Sequence, residues 1–322
     1  MNLHEYRDML FRSARVAAFE KAIERIVRPG MRVLDLGAGL GTYAFFAAKA
    51  GAERVTAVDV SPVIHLARAV AVRNGLDRRI EFVQARAPDG LAGDVFDLVI
   101  FEDYPTTFMD AGTWRLLRAI QERHLARDGI LLPGGVRFGL APVKGAALEV
   151  VPSTGSKAQR FGIEWGELRS YLANTGRKIH LPPDAIAAEV QPGPRRAILA
   201  LAGPEAIGAD GEWISTGEPI VALAFWFDLD LGDGAWVTNA PGAGGEPWGQ
   251  WLLPVDPPLE AAPGTTARAR VWRETLNDGA PGWMGWSCEA DRTKRRGHEF
   301  AGLPLSLEDL TGSVGSGQGR MT

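Results

Sequence analysis

The spacing of apolar positions divides the chain into two stretches. Up to about residue 132, helical and strand-like periods alternate. Residues 3–27 read as helix, with Leu10, Ala14, Ala17, Ala18 and Phe19 among the apolar positions, and Pro29-Gly30 stops it. Short apolar strands are predicted at 31–36, 55–58, 80–83, 95–101 and 130–132. Between them fall helices at 41–50, from Ser61-Pro62 to Asn74-Gly75, and at 111–126. Serine before proline marks a helix start, because the hydroxyl caps free amides and proline tolerates the first turn. Strands alternating with helices argue for a parallel, doubly wound α/β sheet of Rossmann-like type.

Pro133-Gly134-Gly135 ends that pattern. Beyond it, strand-like runs at 197–202, 219–229, 248–254 and 266–272 are separated by Gly and Pro. They predict an antiparallel β domain, a barrel or sandwich. A helix-like stretch, GELRSYLANTG, interrupts it within 160–190. The tail TGSVGSGQGRMT is Gly/Ser-rich and expected to be disordered. The expected division is therefore 1–134, 135–310 and a tail at 311–322, with no internal repeat.

Composition sharpens this picture. Nine of the ten tryptophans follow residue 150, which supports a change of domain there. A net charge of −4 offers no general attraction for nucleic acid or an anionic membrane, so neither is an expected partner. The opening MNLHEYRDML is charged where a signal peptide would be apolar, and the apolar run at 220–227 is too short to span a bilayer. The single cysteine, Cys288, excludes an intrachain disulfide. A soluble cytoplasmic protein is expected. None of the five histidines stands in a metal-ligand spacing, so no metal is expected.

The strongest motif is Val33-Leu34-Asp35-Leu36-Gly37-Ala38-Gly39-Leu40-Gly41. Glycines let a strand turn abruptly into a helix and let a ligand approach the backbone. A dinucleotide fingerprint would need glycine at position 42, which is Thr42. Asp59 follows Gly41 by 18 residues at the end of the second strand. A carboxylate there can accept both hydroxyls of a ribose, or it can merely open the turn before Ser61-Pro62. The motif and the acid together point to a nucleoside-containing ligand.

The G-x-G-x-G spacing after Asp35 resembles the first motif of class I methyltransferases that use S-adenosylmethionine (SAM), with NAD the second choice. Over residues 6–287 the chain resembles protein arginine methyltransferases. The resemblance rests on Met9-Leu10 with Arg15 and Phe19, on 45–52 (FFAAKAGA), on Leu131-Leu132-Pro133-Gly134-Gly135, and on Trp248-Gly249-Gln250-Trp251-Leu252-Leu253. It implies that SAM is the cofactor, that Arg15 pairs with its carboxylate, and that Asp35, Gly37, Gly39, Gly41 and Asp59 shape its site. It also implies a β-barrel after the SAM domain, and a homodimer with 160–190 as the dimerisation arm; a capping helix is the plainer reading of that stretch.

The acceptor half departs from the family. Of the two glutamates that grip a guanidinium there, Glu102 is present, and the second would fall at Ala111. Asp110 is the nearest acid; it either substitutes or caps the helix that follows. Pro247 stands where the family has the histidine of its Thr-His-Trp loop, Arg12 stands for an aspartate, and Gln84-Ala85-Arg86-Ala87 lacks the adenine-side acid. The expected catalytic residues are Glu102 and Asp110. The expected reaction is methyl transfer to a nitrogen, as in a guanidinium of a protein or peptide. The alternatives are a small metabolite or non-arginine peptide acceptor, and a non-catalytic SAM-binding scaffold.

Overall fold

The computed structural model describes residues 3–145, 159–201, 203, 206–243 and 248–299. The first predicted helix is two: α1 (Leu3–Arg12) and α2 (Ala14–Ile26). They part at Ser13, whose hydroxyl accepts the Arg15 amide at 3.2 Å. A serine inside a helical run competes for backbone amides in this way and starts a new helix. The buried face of α2 carries Arg15, Val16, Phe19, Ala22 and Ile23, the i, i+3, i+4 spacing of an amphipathic helix. Phe19 stacks on Tyr43 at 4.9 Å between centroids.

The chain then runs β1 (Arg32–Leu36), α3 (Thr42–Lys49), β2 (Arg54–Asp59), α4 (Ile64–Arg73), β3 (Ile80–Gln84), β4 (Phe96–Phe101), α5 (Ala111–Arg123) and β5 (Leu125–Leu132). These strands form one parallel sheet in the order β3-β2-β1-β4-β5. Winding outward from β1 and then back to β4 leaves a crevice between their carboxyl ends, where open α/β sheets place ligands.

The next strand, β6 (Gly135–Lys144), has no clear sequence signal, since it is buried on both faces and carries two glycines and Pro142. It pairs with β12 (Ile220–Asp230) along its whole length. The stretch 159–190 contains a small hairpin, β7 (Gln159–Arg160) and β8 (Ile163–Glu164), one short α-helix, α6 (Leu168–Leu172), β9 (Arg177–Ile179) and a single 3-10 turn at Pro183–Ala185. There follow β10 (Arg196–Ala197), β11 (Ala209–Ile214), β12, β13 (Trp236–Thr238), β14 (Gln250–Leu259), β15 (Thr266–Thr275), β16 (Pro281–Ala290) and β17 (Thr293–His298).

They build two antiparallel sheets, ordered β10-β6-β12-β14-β9, with β13 on β12, and β11-β15-β16-β17. The sheets lie against one another, and Trp286 bridges them by donating to the Pro254 carbonyl at 2.6 Å. Hydrogen bonds among the described residues do not close them into a barrel. The Trp283-Met284-Gly285-Trp286 cluster lies on β16, with Met284 and Trp286 in the core. The tail at 311–322 lies outside the described residues.

The parallel and antiparallel parts share a seam. Arg25 of α2 donates to the carbonyls of Leu231 and Gly232, both at 3.2 Å. Phe108, on the loop between β4 and α5, packs on Phe138 and Phe227 at 5.2 and 5.5 Å. It holds φ of 71°. A non-glycine residue there costs about 1–3 kcal/mol, which burial of a whole phenyl ring offsets.

Candidate active site

The glycine loop leaves the end of β1 and folds back over β2. The amides of Gly37 and Ala38 both donate to the Val58 carbonyl, at 2.9 and 3.0 Å. Gly39 has φ of 53°, and a Cβ there would come within 2.7 Å of the Tyr6 ring. Only glycine fits both demands. Asp59 accepts the Gly39 amide at 2.7 Å with one carboxylate oxygen and the Ser61 amide at 2.7 Å with the other. Each oxygen keeps further lone-pair capacity toward the crevice.

Asp35 lies beneath this loop. It is 1% exposed and accepts the Ala44 amide of α3 at 2.9 Å. Burial pushes its carboxyl up to about 7; the Ala44 hydrogen bond lowers it in part and Asp59 adds to the rise. Asp35 thus braces the helix behind the glycine loop and does not face the crevice.

The crevice is a cavity of about 610 Å³ bounded by Gly37, Asp59, Val60, Pro88, Asp103 and Leu116, among others. Ala85, Arg86 and Ala87, where the sequence lacks an acid, line it as well. Gln84 faces His65 instead, at 2.8 Å. Asp103 is raised above the usual carboxylate range by burial first and then by Asp59 and Asp110, against the lowering influence of Arg15. Tyr6 of α1 is raised too, by burial and then by Asp59 and Asp103.

The second group of predicted residues assembles around Arg15. Its guanidinium is buried, forms an ion pair with Glu102 at the end of β4, and lies 4.2 Å over the Trp248 ring. Trp248 belongs to the antiparallel part, so this cluster draws on three distant segments. Thr106 donates to the Trp248 carbonyl at 2.7 Å and ties the loop after β4 to the same place. Tyr104 and Phe108 stack at 4.9 Å beside them. Asp110 sits at the N-terminus of α5 and accepts the Thr113 amide at 2.7 Å, a helix cap.

Of the predicted residues, Gly37 and Asp59 line the crevice. Gly39 and Gly41 are buried in the loop that shapes it, and Arg15 and Glu102 pair with each other. Asp35 stands behind the loop, and Asp110 is engaged as a cap. Pro247 lies outside the described residues, as does the side chain of Arg12. The sequence reading did not assign Trp248, Thr106 or Tyr6 to the site. Trp248 was visible only as part of a resembling segment, and Tyr6 carries no signal of its own.

The methyltransferase domain family matches residues 33–129, from β1 to the middle of β5. Arginine N(omega)-methyltransferase of Streptomyces achromogenes subsp. streptozoticus is 28% identical, over 82% of this chain and 74% of the relative. Protein arginine N-methyltransferase PRMT10 of Arabidopsis thaliana is 29% identical over 44% of this chain, and that alignment spans 38% of the relative. Among solved structures, the fold matches a Trypanosoma brucei PRMT1 enzyme–prozyme heterotetrameric complex with AdoHcy, at a TM-score of 0.76 and 18% identity, covering 92% of this chain and 98% of the other.

A parallel sheet with this glycine loop, matched by that domain family, is the catalytic domain of a SAM-dependent methyltransferase. The enzyme resembles the protein arginine N-methyltransferases in both of its parts.

The crevice suits SAM on its own chemistry. Val60, Ala85, Ala87, Pro88 and Leu116 supply apolar side chains for a base, Asp59 supplies carboxylate acceptors, and Gly37 adds no side chain to the lining.

Proposed function

We propose that the enzyme methylates a terminal nitrogen of an arginine guanidinium. The observation that carries this reading is Glu102. It stands at the carboxyl end of a buried strand and already receives a guanidinium, that of Arg15. A carboxylate there has the geometry and charge that a planar fork of donors requires.

SAM, when bound, supplies an electrophilic methyl group on a sulfonium. The chain's residues supply position and charge. Asp59 and the Gly37–Gly41 loop orient the nucleoside, and Arg15, held flat by Trp248, offers its charge to the amino-acid end. Glu102 orients the acceptor and stabilises its positive charge until a proton leaves. Asp110 stays a weaker candidate for the second acid, since it also serves α5. The curated relative aligned over both parts is named for arginine, and the one aligned over under half of the chain for protein arginine. Free arginine is therefore a second reading of the acceptor beside a peptide or protein. Incubation with labelled SAM, L-arginine and an arginine-containing peptide, followed by mass spectrometry, separates the two. Methylation of neither, with another small molecule modified, overturns the guanidinium reading.

We propose further that the division between parts falls at 134/135 and that the enzyme is a cytoplasmic homodimer. The stretch 159–172 exposes Phe161, Ile163, Trp165, Leu168 and Leu172, and the first part exposes Phe11, Leu66, Val70 and Val72. Exposed apolar side chains in both stretches fit a self-association surface. Phe161→Ser with Trp165→Ser is expected to convert the dimer to monomer in light scattering at micromolar concentration; a wild-type monomer sinks the idea.

A further inference from the structure

Strand β15 presents Ala267, Ala269, Val271 and Arg273 toward the core, and Arg268, Arg270 and Trp272 outward. Arg273 is the one charge in that inward row, 8% exposed. A buried arginine is poor evidence of stability, because an apolar residue of similar volume serves a core as well or better. Its presence calls for another reason.

The bonds of Arg273 supply one. Its Nη1 donates to the Gly282 carbonyl at 2.6 Å, and Nη2 reaches the Thr107 carbonyl at 3.5 Å, across 166 residues and from one part of the molecule to the other. Its charge acts on Asp110 and on the buried Glu299, which accepts the Met284 amide at 2.9 Å. The β15–β16 register shifts between Arg273 and Thr275. A bulge at that point turns the end of a strand and re-aims its side chains. Thr107 and Asp110 lie on the loop that leads from Glu102 to α5.

We propose that Arg273 is a positioning residue for the acceptor loop, residues 103–110. It acts through the Thr107 carbonyl and the charge of Asp110 and touches neither methyl donor nor acceptor. The antiparallel part of the molecule thereby sets the shape of a wall of the active site. The role assigned to the loop rests on the reading of Glu102 given above.

Hydrogen exchange of the whole 322-residue chain tests this without relying on turnover. In Arg273→Met, amides of 103–110 are expected to exchange ~10-fold faster or more. The dissociation constant for S-adenosylhomocysteine, read by calorimetry, should stay within about 2-fold, since no cofactor contact is removed. With an arginine-containing peptide, kcat/KM should fall about 10-fold. Arg273→Met strands Glu299 in the core, so Arg273→Met with Glu299→Met, which removes both charges, guards against simple unfolding. Arg273→Lys keeps the charge and loses the fork, and is expected to loosen the loop in part. Unchanged loop exchange in any folded variant of the three overturns the proposal. A loosened loop in an enzyme that methylates no guanidinium leaves it standing and overturns the acceptor reading instead.

Discussion

The proposed cofactor wall and the proposed acceptor wall of this enzyme are built in opposite ways. The first is local and made largely of main chain: the loop 37–41 and Asp59 lie within 23 residues, and their contacts are backbone amides to the carbonyls of Val58 and Ala38 and to one carboxylate. The second depends on side chains from distant segments: Glu102, just after β4, is held by Arg15 from α2, which lies on Trp248 of the antiparallel part. A main-chain site tolerates changes around it as long as its glycines and its one acid remain. A side-chain site exists only when all of its contributing elements have packed.

Three experiments probe that contrast. The largest effect is expected on the acceptor wall. Glu102→Gln keeps the shape and removes the charge, so turnover should fall about 100-fold, roughly 3 kcal/mol of transition-state stabilisation. S-adenosylhomocysteine should still bind. Normal turnover would make Glu102 a structural partner of Arg15 and nothing more.

The next effect concerns the brace behind the cofactor wall. The folded chain holds the Asp35 proton up to about 7, whereas an unfolded chain releases it near 4. The native state therefore binds more protons in that window, and stability falls as pH rises through it. Asp35→Asn keeps an oxygen for the Ala44 amide and removes the titration. Between pH 5 and pH 7 the wild type should lose roughly 2 kcal/mol more stability than the variant, by urea unfolding at each pH. Parallel pH profiles would show that Asp35 is already charged in the fold.

The smallest effect is expected on the cofactor wall itself. Asp59→Ala should weaken S-adenosylhomocysteine binding at least about 10-fold, or ~1.4 kcal/mol, because charge-assisted bonds to the ribose are lost. The loop loses its Gly39 and Ser61 anchors as well, so the thermal midpoint should drop modestly. Unchanged affinity in calorimetry would place the ribose elsewhere.

The legibility of the two walls in the sequence follows the same division. Gly37, Gly39, Gly41 and Asp59 are readable because strand-end glycines and a strand-end acid are local features, and the backbone they imply is the backbone observed. The parallel sheet was readable for the same reason, through its alternating periods. Strand β6 was not, because burial on both faces erases the alternation that marks a strand. The helical interruption at 160–190 came down to the five residues of α6, since a short amphipathic run needs a packing partner to persist as a helix.

The sequence by itself determined the cofactor loop, the doubly wound core and the candidacy of Glu102. Only the tertiary structure decided that Glu102 is joined to Arg15, that Arg15 lies on Trp248, and that Asp110 caps a helix. It also decided that an arginine 166 residues away reaches the acceptor loop. The reason is physical. Backbone turns and strand periods are set by neighbours along the chain, whereas a contact between side chains on separate elements is set by how those elements pack.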